Sequence, residues 1–593
     1  MHSSPLPSHH DDSFAQTLQP EHAQVSAVNS AFKTVLHHFK KHVGIGIICA
    51  VGYFDPGNWS VDIQAGASFG YRPMLFVIFL AGMIAILFQV LAARLGCVTG
   101  LDLAHHCRLL LHDHPTHPLL VRRLVLYPLY VLCEIAIIST DLAELLGSAI
   151  GLSLLFPKLP LWSAVLLTGV DVFIFLIIGD PSRTGRPVRF FEFVIIILVA
   201  IVFVCFILLL VKVHPNWPQV FLGFIPSEGL LQTQPNAVYT AIGILGATVM
   251  PHSLFLGSNL ATQDRVSEPP RPLPTPADAR QPPFLSRFKR FWRSILYFSR
   301  SEHDVEKDYT SRHEFRQNNP IEFIRAHLGY GTVDVVFSLL GLAVPINSAI
   351  LILAATMFYS PDNNNSIGLV TMHTLMLERL GTAAALIFAL ALVCAGQTAS
   401  VTATLAGQIV SEGFIMWNVS PFVRRLLTRL ISLIPSMIVA ISSGGAGINA
   451  LLIASQVVLS VVLPFVAFPL IYLTSSKMVM CVKTPKVIQE KVIDTLPIPS
   501  THTVSLVSDA LSTHPGQRPL PVTTDIAVVE RNAENHDGSI KHPSTQACGT
   551  QEYGVVDFSN GYIITVLACA IWVVVLIANV YAIVMLAMGQ TGP

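Results

Sequence analysis

Two short stretches of this 593-residue chain place reactive groups inside otherwise apolar sequence: Asp55-Pro56-Gly57-Asn58 and Gly246-Ala247-Thr248-Val249-Met250-Pro251-His252. Proline removes a backbone donor and clashes with the preceding turn, and glycine relaxes the chain. A helix broken in this way exposes amides and carbonyls that hydrocarbon cannot satisfy, so it persists only when buried in protein or lining a wet cavity. Pro56, Gly57, Gly246 and Pro251 are the expected helix breaks. Asp55 and Asn58 offer oxygen ligands, unwinding frees the Ala247 carbonyl, and Met250 supplies a thioether. Oxygens alone suit Mg²⁺ or Ca²⁺, whereas a soft sulfur shifts preference toward transition metals. A lone methionine in an apolar helix is ordinarily core filler, and an isolated aspartate can simply cap a half-helix. Asp, Asn and Met at two broken helices read together as a ligand set for a divalent transition metal.

The elements that must hold these residues are legible from composition. Hydrophobic residues make up 52% of the chain and charged residues only 12%, against about 25% charged in a typical soluble domain. Lys+Arg and Asp+Glu balance at 36 each, so net charge argues neither for a nucleic-acid nor for an acidic partner, and no nucleic-acid partner is expected. Eleven apolar stretches, centred on 43–68, 73–95, 124–150, 161–180, 190–213, 237–261, 330–357, 381–411, 422–443, 448–475 and 560–587, are long enough to span a bilayer. A soluble globule is excluded, and the reading is an all-α polytopic membrane protein. The nine cysteines form no Cys-x-x-Cys pair and most lie in apolar runs, as small hydrophobes rather than disulfides or zinc ligands. The polar first 41 residues carry no apolar leader and read as a disordered cytosolic N-terminus.

Lys and Arg in the connections set the orientation. Arg108, Arg122 and Arg123 lie between spans 2 and 3, Arg183, Arg186 and Arg189 between 4 and 5, and Arg424 and Arg425 open span 9. These loops belong on the cytosolic side with the N-terminus. An N-glycosylation sequon at Asn364 falls on the opposite face. Two connections, 262–329 and 476–559, are too long for turns and read as cytosolic insertions. Breaks in the first helix of each of two five-span sets, 42–213 and 237–475, point to an inverted-repeat transporter with a midplane site; 560–587 is an added eleventh helix.

These motifs resemble the Nramp family of divalent metal transporters, and their wording is similar to fungal members. Further matches are Glu134 through Asp141 to Glu144 in span 3, Gly396-Gln397 and Gly407-Gln408 through Glu412-Gly413 in span 8, and Ser455-Gln456-Val457 in span 10. The resemblance covers nearly all of spans 1–10. It implies a LeuT-like fold of 5+5 helices plus one, and proton-coupled import of Mn²⁺, Fe²⁺ and related ions such as Co²⁺, Cd²⁺ and Zn²⁺, at a plasma, endosomal or vacuolar membrane. By motif position it makes Asp55, Asn58, Ala247 (through its carbonyl) and Met250 metal ligands, and it brings Gln456 near the metal. It routes protons through Asp55, His252 and the span-3 acids. Many members carry a second histidine where this chain has Gly257, and asparagine where it has Ser253, so proton roles of those positions do not transfer.

Glu134, Asp141 and Glu144 fall within an arc of about 80° on one helix face, which suggests a proton wire. Structural ion pairs with Arg424 and Arg425 are the alternative, and the two coexist in a carboxylate–arginine relay. His252, with an ordinary pKa near 6.5, either moves protons or holds the half-helix. No phosphate-loop motif supports an ATP-driven pump, and nothing points to an enzyme or a resident cofactor. A metal sensor signalling through its cytosolic segments and a proton-uncoupled uniporter stay open beside the symporter.

Overall fold

Helices that are apolar on every side must bury themselves among their own kind or in lipid. The computed structural model of the protein describes residues 44–178, 189–227, 235–266, 318–359, 367–416, 421–442, 444–485 and 553–588. Span 1 is two helices, Ile45–Val51 and Pro56–Phe69. Spans 2 to 5 are Met74–Thr99, Tyr127–Leu155, Leu161–Ile178 and Arg189–Val213. Span 6 is again divided, into Pro235–Thr248 and Pro251–Leu260. Span 7 runs Ile321–Phe358, followed by span 8 (Thr382–Ile415), span 9 (Pro421–Ser442), span 10 (Gly444–Ser475) and span 11 (Tyr562–Ala587).

Seven of these, spans 2, 5, 6, 7, 8, 10 and 11, are long and apolar enough to cross a membrane among the described residues. The other four are helices in the expected places. Span 1 is cut by its break, span 3 carries three acids, span 9 carries Arg424, Arg425 and Arg429, and the side chains of span 4 are described only as far as Gly169.

The packing itself reveals the repeat. Span 1 packs on span 7, and span 6 on span 2; span 3 packs on span 10, and span 8 on span 5; span 6 packs on span 10, and span 1 on span 5. Each pair becomes its partner when every number is advanced by five and wrapped at ten. The contacts of 3 with 8 and of 4 with 9 map onto themselves. This is the expected 5+5 arrangement, with span 11 added against span 10.

Several boundaries differ from the sequence reading. The helix of span 7 begins at Ile321 rather than near 330, because Asn318 and Asn319 anchor its entry. Asn318 Nδ2 donates to the carbonyls of Val479 and Cys481, both at 2.8 Å, and Asn319 Nδ2 to Cys97 O at 2.9 Å. The edges of 476–559 are also ordered, as strands Cys481–Pro485 and Tyr553–Asp557 paired in a two-stranded sheet. The interiors of both insertions, the N-terminal 43 residues and Asn364 lie outside the described residues.

Candidate functional site: two broken helices against span 10

The first break lies just before its motif proline rather than around it. Helix ends at Val51 and restarts at Pro56, so Pro56 occupies the first helical position, where its missing N–H costs nothing. Asp55 caps the new helix: its Oδ1 accepts from the Asn58 backbone N–H at 2.9 Å. The carbonyls freed here are held by side chains. Asn347 Nδ2 of span 7 donates to Tyr53 O at 2.7 Å, and Trp59 Nε1 donates to Phe54 O at 2.9 Å.

The second break is Val249–Met250, with Met250 extended and fully buried at the cap of Pro251–Leu260. In a continuous helix the Ala247 carbonyl would accept from residue 251, but a proline has no N–H to give. Gly246 is not itself unwound, as the sequence reading expected; it lies within the preceding half-helix. A Cβ there would run into Ser460 and come within 2.6 Å of the Gln456 carbonyl, so only glycine lets span 6 meet span 10 backbone to backbone. Gly57 plays the same part for span 1. A Cβ on it would overlap the Gln456 side-chain amide and lie 3.2 Å from Asp55 Oδ2. Gln456 therefore borders both breaks. On its far side Ser460 is clamped by span 11: Ser460 Oγ donates to Asn579 Oδ1, and Asn579 Nδ2 to Ser460 O, both at 2.7 Å.

Asp55 Oδ2, both amide atoms of Asn58 and Gln456 Oε1 are buried without any hydrogen-bond partner. Such groups are costly unless something else satisfies them. Among the described residues no three His, Cys, Asp or Glu side chains gather as a metal cluster. The donor set at the breaks is instead one carboxylate, two amides, one carbonyl and one thioether.

Span 3 delivers its acids to the same region. A Cβ at Gly147 would overlap Pro56, so span 3 packs directly on the first break. Glu144, one turn earlier, is fully buried with neither carboxylate oxygen partnered. Asp141 pairs with Arg429 of span 9, which also reaches the Ser400 hydroxyl of span 8. Glu134 pairs with Arg424 at 2.6 Å. The sequence reading named Arg424 and Arg425; the Arg425 side chain is outside the described residues, and Arg429, one turn further on, was not singled out. His252 completes the region. The Thr140 hydroxyl already donates to Ala136 O at 3.0 Å, so at 3.3 Å it can only accept from His252 Nδ1–H. Nε2 has no partner and would lie 3.4 Å from a Cβ on Gly52.

A family model described as natural resistance-associated macrophage protein-like, Nramp, matches residues 46–493. The chain belongs to the Nramp family. Its relatives include the iron transporter SMF3 of Saccharomyces cerevisiae, to which this Nramp chain is 39% identical over 455 residues, 76% of the chain and 85% of the relative. It is 35% identical to the manganese transporter SMF1 of the same yeast over 571 residues, 94% and 87% of the two lengths. A crystal structure of the Eremococcus coleocola manganese transporter, in complex with an aromatic bis-isothiourea substituted compound, matches the fold with a TM-score of 0.61 at 26% identity, covering 93% of this chain and 86% of that one. The family is one of membrane transporters rather than enzymes.

The Nramp chain fills the space at its departures from the motif with a neutral network. Gln89 of span 2 lies where a side chain on Gly257 would go. Its Oε1 accepts from Tyr53 Oη at 2.9 Å, its Nε2 reaches Cys49 Sγ at 3.1 Å, and Ser253 Oγ donates to Tyr53 Oη at 2.7 Å. Gln89 and Tyr53 were invisible as partners in the sequence, because a glutamine in one span and a tyrosine in another carry no spacing signal.

Proposed function

We propose that this Nramp chain is a proton-coupled secondary transporter that carries Mn²⁺, Fe²⁺ and related divalent ions toward the cytosol. The cargo binds between the two breaks, on Asp55, Asn58, the Ala247 carbonyl and Met250, with Gln456 alongside. The reading rests on one observation above all: the buried oxygens Asp55 Oδ2, Asn58 Oδ1 and Gln456 Oε1 beside the breaks lack partners, and a partly desolvated cation would supply one. A single carboxylate with a thioether favours a borderline transition metal over Ca²⁺. Names of the relatives, which include iron and manganese transporters, agree with that class. Protons pass from the region of Asp55 and His252 along Glu144, Asp141 and Glu134, with Arg429 and Arg424 as counter-charges. The N-terminus is cytosolic, the membrane is the plasma, endosomal or vacuolar one, and Asn364 is glycosylated on the outer face.

Mn²⁺ uptake into proteoliposomes, with and without an inward pH gradient and with lumenal pH followed, tests this directly. Uptake that rises with external acid and acidifies the lumen is the expected result. Uptake without acidification identifies a uniporter, the reading favoured by the uncharged Gln89 at the Gly257 position. No uptake by folded protein moves the metal-sensor reading to the front.

The thioether has its own test. Met250→Ala keeps the oxygen ligands, so it is expected to retain Mn²⁺ transport while losing roughly tenfold of its preference over Ca²⁺, about 1.4 kcal/mol. Competition uptake reads this out, and an unchanged preference removes Met250 from the ligand set.

A further inference from the structure

Asp62 stands two turns beyond Asp55 on the same half-helix and belongs to no interaction described above. It is 2% exposed, and its Oδ2 has no partner. A buried, uncompensated aspartate within a membrane helix is expensive and points to a functional role. Seven residues on a helix amount to a rotation of about −20° and a rise of about 10.5 Å, so Asp62 lies nearly above Asp55 on one face.

The packing says what that face meets. Ser60 and Val61 turn toward spans 10 and 6: Ser60 Oγ donates to Asn449 Oδ1 at 2.6 Å, and a Cβ on Gly243 would meet Val61 at 3.5 Å. Gly66, one turn beyond Asp62, lies on span 7, where a Cβ would come within 2.5 Å of Leu351 O and 3.0 Å of Ala354. Spans 1 and 7 run parallel, since Tyr53 meets Asn347 and Tyr71 Oη meets Thr356 Oγ1 at 2.8 Å. One turn before Gly66 is Asp62; one turn before Leu351 are Asn347 and Ser348. Both carry orphans: Asn347 Oδ1 and Ser348 Oγ are buried without partners. A helical serine ordinarily bonds its own preceding turn, and Ser348 does not.

From this juxtaposition we infer that Asp62, Ser348 and Asn347 form a second cation position, made only of hard oxygen donors, through which the divalent cargo passes between the outer face and the Asp55–Met250 site. The inference rests on the proposed transport reading and its topology, in which the second half of span 1 leads outward. Without sulfur the position does not select transition metals. It attracts and partly dehydrates the ion, and selection falls to the inner site.

The test uses the purified full-length protein and Mn²⁺ as probe, counting bound ion by loss of the free Mn²⁺ spin-resonance signal. The unmodified protein is expected to bind one equivalent more than Asp62→Asn, which preserves side-chain volume. Ser348→Ala is expected to weaken that extra equivalent without touching the tighter one. In proteoliposomes Asp62→Asn is expected to raise the KM for Mn²⁺ roughly tenfold, the scale of one lost charged ligand, with kcat little changed. Unchanged stoichiometry and KM in both variants overturn the second position. Asp55→Asn run in parallel separates the two ideas: if it abolishes transport while Asp62→Asn does nothing, only the outer position is lost. Wild-type transport in Asp55→Asn removes the reading on which both rest.

Discussion

Asp55→Ala is expected to bring Mn²⁺ uptake down to the protein-free baseline while leaving the protein folded and inserted. Two opposing magnitudes lead to that result. On the stability side, the carboxylate caps the second half of span 1 through Asn58 N–H, and losing an N-cap costs about 1 kcal/mol. Removing a buried charge whose other oxygen has no partner relieves a desolvation penalty of comparable or larger size. On the functional side, Asp55 is the one anion in the proposed ligand set, and a divalent ion leaving water for neutral amides, a carbonyl and a thioether has nothing to offset its charge. Asp55→Asn sharpens the experiment, since the amide oxygen can still cap. Monodisperse elution and a melting temperature near wild type must accompany the lost uptake. Normal uptake in either variant would falsify the site.

Arg429→Ala should be the most destabilising single change among the span-3 and span-9 charges. It strands Asp141, which is 4% exposed, and takes a partner from Ser400. Breaking one side of a buried pair costs about 3–5 kcal/mol, because the remaining charge stays buried and unpaired. Arg424→Ala strands Glu134, whose side chain is 19% exposed, so solvent screens the loss and the drop should be smaller. The double change Arg429→Gln with Asp141→Asn removes both charges and should recover much of the lost stability. Thermal unfolding in a fixed detergent orders the variants. An Arg424 variant that melts lower than the Arg429 variant contradicts this account.

The two breaks, their ligand-type residues and the five-plus-five order could be read from the chain because each is a local violation: proline, glycine and aspartate where hydrocarbon demands an unbroken apolar helix. Pairings between spans could not. Asp141 finds Arg429 across 288 residues, and which span-9 arginine meets which span-3 acid depends on a helix rotation that no local pattern encodes. Gly246 illustrates the same gap. Its residue type flagged a break, yet its reason is the backbone of span 10. Asp62 passed unnoticed because one acid in a helix that already holds Asp55 adds no new periodicity; its significance is the lack of a partner, a property of the packed molecule. Gln89 went unseen for the converse reason, since its role is to occupy room left by a glycine in another span.

Span 11 lies outside the repeat and shows much of its surface outward, with Val574, Ile577 and Val580 all more than half exposed. Yet Asn579 holds both the hydroxyl and the carbonyl of Ser460, and Ser460 is the seat on which Gly246 rests just ahead of the second break. An outward-facing helix thus has a two-bond grip on the residue that seats span 6 beside the proposed cargo site. A displacement of span 11 would therefore be felt first at the serine on which Gly246 rests, next to the proposed cargo ligands.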